Sequence, residues 1–200
     1  MPRSGETTRR QILDAAYKLF RRSGFSRVSM DEIAAATGVT KRTLYHHFES
    51  KDQLLAAVLE AQHVLAVAAF RTFGDRLSGS PAAMVEAMFR DLAVWSDRPR
   101  WAGSGFTRLV VELADLPGHP ARAIARRHKS TLEDELAQLL ERAGVARPRE
   151  CAREIWLLSE GAISSILVHG DRSYAAAAAA AALKLLRANA SRPQRRGAKA

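Results

Sequence analysis

Residues 29–48, SMDEIAAATGVTKRTLYHHF, constrain the fold of this chain more than any other stretch. Ser29 stands three residues before Glu32, which is the S-x-x-E spacing of a capping box at a helix start. Gly38 follows a short apolar face, and glycine accepts the positive φ of a sharp turn. Thr40 is suited to capping a second helix. The stretch therefore predicts two short helices joined by a tight turn, the layout of a helix-turn-helix.

The second of these helices has an inner and an outer face. Leu44 and Phe48 are four residues apart, so they share one face and are expected to pack inward. The positions left to point outward are hydrogen-bond donors and one aromatic ring: Lys41, Arg42, Thr43, Tyr45 and His46. Because the outer face of such a helix enters the major groove in helix-turn-helix proteins, the pattern predicts DNA recognition.

The flanking segments complete a small domain. Apolar residues at helical spacing precede the motif, and Ser50-Lys51-Asp52-Gln53 opens a long helix after it with an S-x-x-Q box. Three helices can close a core from a set of apolar side chains spread over this region. That predicted core comprises Ile12, Leu19, Phe20, Phe25, Val28, Ile33, Val39, Leu44 and Phe48.

The segment ILDAAYKLFRRSGFSRVSMDEIAAATGVTKRTLYHHFESKDQLLAAVL resembles the N-terminal domain of the TetR family of bacterial transcriptional regulators. The matching positions lie in one register: Ile12 to Phe20, Gly24-Phe25, Ser29, Ile33-Ala34, Gly38-Val39, Leu44-Tyr45, His47-Phe48, Lys51-Asp52 and Leu54-Leu55. The remainder resembles the family only in its length and helical pattern. The resemblance implies an all-α protein, with an N-terminal three-helix DNA-binding domain and a C-terminal helical domain for ligand binding and dimerisation.

Charge is distributed unevenly along the chain, whose formal net charge is +10. Residues 1–51 carry ten Lys and Arg against five Asp and Glu, residues 52–186 carry sixteen of each, and residues 187–200 carry five basic and no acidic residues. The basic excess at the two ends implies an anionic partner, and phosphate contacts would make its binding salt-dependent.

Composition excludes several other classes of protein. Hydrophobic residues make up 47% of the chain, enough for a buried core. The single cysteine, Cys151, allows no intramolecular disulfide. The N-terminus lacks the apolar region of a signal peptide, and no apolar run approaches the length of a membrane span. We therefore expect a cytoplasmic protein without a membrane partner.

Turn-forming residues divide the rest of the chain into helices, and no alternating pattern predicts a strand. The expected helices run over about 51–77, 82–96, 105–115, 121–143, 148–168 and 173–190. We predict a DNA-binding domain over 6–66, a regulatory and dimerisation domain over 67–190, and a disordered basic tail over 191–200.

The last two predicted helices favour a homodimer. The helix over 148–168 has apolar or small residues on opposite sides, and the next has alanine at every position of 175–182. A helix without a polar face is usually buried on both sides. The alternative is a monomer core with a low-complexity alanine run. The family resemblance implies a four-helix bundle between two copies, which would match two DNA half-sites about 34–36 Å apart.

Roles in DNA binding are assigned by residue chemistry. Arg42 and Thr43 are the predicted base readers, since arginine pairs with guanine and the threonine methyl suits thymine. Tyr45 and His46 are assigned to phosphate or a thymine methyl, and Lys41 belongs to the same DNA-contacting face. Each residue alone could equally be a solvated surface side chain.

A second group is predicted to bind the DNA backbone. Thr40 and Lys51 stand at helix N-termini, where anions bind well. Arg27 and Ser29 are expected to add contacts to phosphate from the start of the motif.

The middle helices are rich in aromatic residues and methionine, which is typical of apolar ligand pockets and equally of ordinary core. Because the family resemblance implies an effector pocket, we predict that Met88, Trp95 and Phe106 bind a small apolar effector. His119 and His128 either add polar contacts or are surface histidines.

No pattern predicts catalysis, a metal or a cofactor. His46 and His47 are adjacent, so their side chains diverge and do not chelate together. Cys151 has no neighbouring base, and no phosphate-binding loop or dinucleotide fingerprint is present. We expect a ligand-responsive repressor that binds a pseudopalindromic operator and is not an enzyme. The alternative is an effector-independent helix-turn-helix DNA-binding or architectural protein.

Overall fold

The computed structural model of the chain describes residues 5–76 and 80–189. These residues form nine α-helices and no β-strand, which confirms the all-α class. The helices are α1 (Gly5–Ser23), α2 (Met30–Thr37), α3 (Lys41–His47), α4 (Lys51–Arg76), α5 (Pro81–Ser96), α6 (Gly105–Glu112), α7 (Pro120–Arg142), α8 (Pro148–His169) and α9 (Ser173–Ala188). The predicted tail over 191–200 lies outside the described residues.

The chain divides into two compact units. Unit 1 comprises Met1–Ala68 and Ala102–Ser130, and unit 2 comprises Ala69–Trp101 and Thr131–Ala200. Helix α6 and the first part of α7 therefore belong to the same unit as the helix-turn-helix. The domain bounds 6–66 and 67–190 stay a prediction.

The helix-turn-helix forms for the local reasons that the sequence supplies. The Oγ of Ser29 accepts a hydrogen bond from the amide of Glu32, and the Glu32 carboxylate accepts one from the amide of Ser29 at 2.7 Å. Gly38 takes the left-handed conformation at φ 68°, and the Thr40 side chain caps α3 by accepting from the amide of Thr43. The predicted capping box, turn and cap are all confirmed.

The core of unit 1 is built from one face of each N-terminal helix. Ile12, Ile33 and Leu44 are fully buried, and Phe48 is almost so. Leu19 and Val39 are only partly buried, and the other members of the predicted core are buried. Helix α6 contributes Phe106 and Leu109 to the same core.

Turn-forming residues predict the bounds of the later helices to within one or two residues, except at the end of α6. The predicted end of α4 at residue 77 lies outside the described residues. Helix α6 ends at Glu112 rather than near residue 115. The chain beyond it tightens into turns, with the amide of Ala114 bonded to the carbonyl of Val111 and that of Leu116 to Leu113. At the start of α4, Ser50 caps Gln53 as predicted, but the Gln53 side chain accepts from the amide of Glu49.

Unit 2 is held by close helix packing. Its core includes Val85, Phe89, Leu140 and Ile155, which are almost completely buried. A Cβ added at Gly74 would lie 2.7 Å from the methyl carbons of Leu139, so a larger residue in α4 would require the Leu139 side chain of α7 to shift. Small residues also allow close helix packing in α9, where Ala175, Ala178 and Ala182 are buried.

Helix α4 is long and apolar enough to cross a membrane by length and composition alone, although polar and charged residues interrupt its apolar runs, as expected from the sequence. Core helices of soluble proteins pass the same test. In unit 1, Leu54, Leu55 and Val58 of this helix are buried in the protein core. This helix is therefore weak evidence for a membrane segment.

Candidate nucleic-acid interface

The outer face of α3 is exposed as the sequence predicts. Burial of Leu44 and Phe48 leaves Lys41, Arg42 and Tyr45 exposed. His46 is exposed as well, whereas Thr43 is half-buried and its Oγ1 lies 2.8 Å from that of Thr40. The arrangement presents cationic and aromatic side chains from a short helix, as a major-groove reader requires.

The two cationic side chains at the start of α3, Lys41 and Arg42, differ in whether they form an ion pair within the protein. The ammonium of Lys41 lies 2.9 Å from a carboxylate oxygen of Asp31 on α2, and the hydrogen bond raises the pKa of Lys41. Both side chains are exposed, so the pair is weak and salt screens it. Within the described residues, the guanidinium of Arg42 has no ion-pair partner and is free to meet a base edge or a phosphate.

The α1–α2 loop (residues 24–29) carries two of the predicted phosphate contacts. Arg27 and Ser29 are both exposed. The hydroxyl of Ser29 is already engaged in the capping box, 2.9 Å from a carboxylate oxygen of Glu32. Hydrogen bonds from the backbone and side chain of Ser29 lower the pKa of Glu32. Ser29 therefore combines a structural role with its predicted role at the DNA.

Lys51 lies against this loop. Its Nζ donates to the carbonyls of Phe25 and Val28, both at 3.1 Å, and to that of Ser26 at 3.4 Å. The same ammonium stands 4.4 Å from the centre of the Phe25 ring. An ammonium has three N–H donors, and all three have acceptors here. Lys51 thus stabilises the loop, and its contact with phosphate stays a prediction.

Two residues of α6 that no sequence motif marks also bind the end of α1 and this loop. The Glu112 carboxylate accepts hydrogen bonds from the amides of Phe25 at 2.8 Å and Ser26 at 3.1 Å. The guanidinium of Arg108 donates to the carbonyl of Arg21 at 3.0 Å. The partners are more than 80 residues apart, and no local pattern marks them.

The three predicted effector-binding residues fall in different units. Phe106 is a buried residue of unit 1, and its ring stacks on that of His128 at 3.7 Å between centroids. Met88 and Trp95 are half-buried in unit 2, where Trp95 meets Trp101 edge to face at 5.3 Å. The Nε1–H of Trp101 is buried and has no acceptor among the described residues.

Of the two histidines considered for the middle helices, His128 is buried and His119 is half-buried. Burial lowers the pKa of His128 to about 4, so this histidine is neutral at pH 7. Its Nδ1 lies 3.2 Å from the Nδ1 of His63. In His119, Nδ1 accepts from the amide of Ala121 at the start of α7.

The described residues offer no cluster of three or more His, Cys, Asp or Glu side chains able to hold a metal ion. Cys151 is almost completely buried, and burial raises the pKa of its thiol. A buried, protonated thiol is a packing group and a poor nucleophile.

Fold and exposed face together define an all-α protein with a helix-turn-helix DNA-binding domain. The family described as bacterial regulatory proteins, tetR family, matches residues 12–58. Among curated relatives, the HTH-type transcriptional regulator UidR of Escherichia coli strain K12 is 38% identical over 71 residues, which are 36% of either chain. AcrR of Shigella flexneri, also an HTH-type transcriptional regulator, is 44% identical over 55 residues, 28% of this chain and 26% of that protein.

The likeness in fold extends further than the likeness in sequence. A TetR-family transcriptional regulator from Streptomyces coelicolor superposes with a TM-score of 0.81 and 25% identity, covering 93% of this chain and 97% of that one. A putative TetR transcriptional regulator from Streptomyces avermitilis gives 0.78 and 28%, over 91% and 97%. The chain spans only 36% and 26% of the lengths of these two curated relatives. Its N-terminal domain therefore matches the tetR family in sequence, and the fold of the chain is similar to that of solved TetR-family regulators.

Proposed function

We propose that this protein is a transcriptional repressor that binds a pseudopalindromic operator as a homodimer and is released by a small apolar effector. The observation that carries the proposal is the exposed outer face of α3 on a TetR-type domain. The protein acts in the cytoplasm, without a cofactor and without enzymatic activity. The named relatives support this reading, because they are transcriptional regulators.

In this proposal, the DNA-contacting side chains fall into two groups: readers, which contact base edges, and anchors, which contact phosphate. Arg42 and Thr43 meet base edges, and Arg42 is the stronger candidate because its guanidinium is exposed and unpaired within the described chain. Tyr45 and His46 contact phosphate or a thymine methyl. The proposed anchors on phosphate are the remaining polar side chains of the face and its flanks: Arg27, Ser29, Thr40, Lys41 and Lys51.

The dimer is proposed to form through α8 and α9. Helix α8 carries an exposed stripe of apolar and small residues, Leu157, Gly161, Ser164 and Val168, in which Leu157 is 66% and Val168 75% exposed. Their spacing places them on one face of the helix. A Cβ added at Gly161 would meet nothing within 4 Å, so the face has room for a partner helix. An exposed apolar stripe of this kind is typical of a protein interface.

The effector is proposed to bind beside the aromatic residues of unit 2. Trp95 and Trp101 form an edge-to-face pair, and the buried indole N–H of Trp101 has no acceptor within the described residues. A buried donor without a partner costs free energy, which a ligand carrying an acceptor oxygen would recover. We therefore expect an apolar effector with at least one such oxygen, with Met88 at the same site. Phe106 remains a separate candidate in unit 1.

The DNA-binding proposal is tested by selecting duplexes from a random library and measuring binding by fluorescence anisotropy at several salt concentrations. A repressor should bind the selected duplex at least about 10³-fold more tightly than a random one. Equal and steeply salt-dependent binding to both would favour the effector-independent architectural alternative.

Effector binding is tested separately, by screening apolar compounds for quenching of tryptophan fluorescence. A true effector should raise the melting temperature and weaken operator binding, since the two ligands must oppose each other equally. A compound that quenches fluorescence but leaves operator binding unchanged would contradict the proposed release mechanism.

A further inference from the structure

We infer that Glu112 and Arg108 of α6 are positioning residues for DNA binding, which hold the end of α1 and the α1–α2 loop so that Arg27 and Ser29 meet phosphate. The inference rests on the proposed function for the DNA contacts themselves. It adds two residues that lie outside the helix-turn-helix and have no predicted contact with DNA.

Arg108 binds the end of α1. The last four carbonyls of a helix have no partner within the helix, and that of Arg21 is one of them. The guanidinium of Arg108 donates to it at 3.0 Å. The chain then turns at Gly24, whose φ of 86° is in the left-handed region. This contact fixes the point at which the loop leaves α1.

Glu112 binds the amides of the loop. One carboxylate oxygen accepts from the successive amides of Phe25 and Ser26, and lies 3.4 Å from the hydroxyl of Ser26. Hydrogen bonds to a carboxylate are about twice as strong as those between neutral groups. Glu112 follows Arg108 by four residues, so both side chains extend from one face of α6.

Lys51 binds the carbonyl groups of the same loop, whereas Glu112 binds its amides. It donates to the carbonyls of Phe25, Ser26 and Val28. The amide and carbonyl of both Phe25 and Ser26 are therefore bound by charged side chains from α4 and α6. A loop has no regular ladder of hydrogen bonds, so its conformation depends on such outside partners.

The fit between α6 and the loop is close. A Cβ added at Gly24 would lie 3.0 Å from a carboxylate oxygen of Glu112. Arg27 follows the two bound amides directly, and its side chain is exposed. Loss of the carboxylate contacts should therefore loosen the backbone that carries Arg27, while the buried core of α1 to α3 retains its packing.

The test compares Glu112→Gln with Asp115→Asn on an operator duplex selected from a random library. Both substitutions remove one negative charge, but Asp115 is exposed and makes no hydrogen bond within the described residues. In the Glu112→Gln variant, the new amide oxygen can still accept from both loop amides but carries no negative charge. Charged acceptors make hydrogen bonds about twice as strong as neutral ones, so we expect this substitution to weaken operator binding about tenfold. Asp115→Asn should change the affinity less than about twofold, as is usual for a surface substitution.

A double-mutant cycle with Arg27→Ala separates positioning from a general loss of stability. If Glu112 acts through the loop, the combined loss of affinity should be smaller than the product of the two single losses. Amide hydrogen exchange should also quicken at Phe25 and Ser26 and stay slow at Ile33 and Leu44. Arg108→Gln provides the same measurements if Glu112→Gln folds poorly.

Equal affinities of Glu112→Gln and Asp115→Asn would overturn the inference, and so would effects of Glu112→Gln and Arg27→Ala that multiply independently. Either result would leave specific binding by the unsubstituted protein, and therefore the proposed function, intact. Failure to select any duplex would instead refute the proposed function, and the inference with it.

Discussion

Substitution of Lys51 by methionine tests how the α1–α2 loop is held. Methionine keeps an unbranched apolar stem beside the Phe25 ring but removes three N–H donors. The carbonyls of Phe25 and Val28 are part-buried, while that of Ser26 is exposed and can turn to water. The Phe25 carbonyl also retains the amide of Val28 at 3.4 Å.

The expected cost of this substitution is therefore about 2 kcal/mol of unfolding free energy. A hydrogen bond to a charged group contributes about 1.5–3 kcal/mol, and only the Val28 carbonyl loses its charged partner with no replacement. Urea unfolding followed by circular dichroism should show a lower midpoint with an unchanged slope. Lys18→Met is the matched control, because Lys18 is exposed on α1 and has no ion pair within the described residues. Equal midpoints for the two variants would refute the structural role of Lys51.

The salt dependence of operator binding then decides whether Lys51 also contacts phosphate. Each phosphate contact contributes about 0.9 to the slope of log affinity against log salt concentration. If Lys51 only stabilises the loop, Lys51→Met should leave that slope unchanged. A slope reduced by about 1 would establish the phosphate contact predicted from its place at a helix N-terminus.

Three further predictions concern single residues. Arg42→Ala should cost about 1–3 kcal/mol on the selected operator and relax its preference at one base pair, which binding to single-base operator variants would detect; unchanged discrimination would remove Arg42 from base readout. Gly24→Ala should destabilise the protein by about 1–3 kcal/mol, more than Gly38→Ala, because both positions have positive φ but only Gly24 is crowded by Glu112. Similar melting temperatures for the two glycine variants would contradict this ranking. His128 should lower stability as pH falls from about 6.5 to about 4, because its pKa in the folded protein is about 4 and the unfolded state takes up the proton first. Urea unfolding at pH 7 and pH 5 should show a smaller pH effect in His128→Gln, and an equal effect would contradict the burial of a neutral histidine.

The local architecture of the DNA-binding domain follows from short-range chemistry, which is why the sequence predicts it well. The capping box of Ser29 and Glu32, the turn at Gly38 and the cap at Thr40 each depend on residues three or four positions apart. The inward direction of Leu44 and Phe48 follows from helical periodicity alone. Glycine and proline similarly mark the ends of the later helices, because they act on their own backbone.

The sequence by itself therefore determined the helices, the exposed outer face of α3 and the resemblance of the N-terminal domain to the tetR family, whereas the tertiary structure decided which groups hold the loop beside that face. Glu112 reaches the amides of Phe25 and Ser26 across more than 80 residues, and Lys51 reaches carbonyls of the same loop across more than 20. Such pairs leave no periodic signal, and a lysine at a helix N-terminus has the same local sequence whether it meets a phosphate or a backbone carbonyl. Only packing of α4 and α6 around the loop within unit 1 brings these charges to their partners.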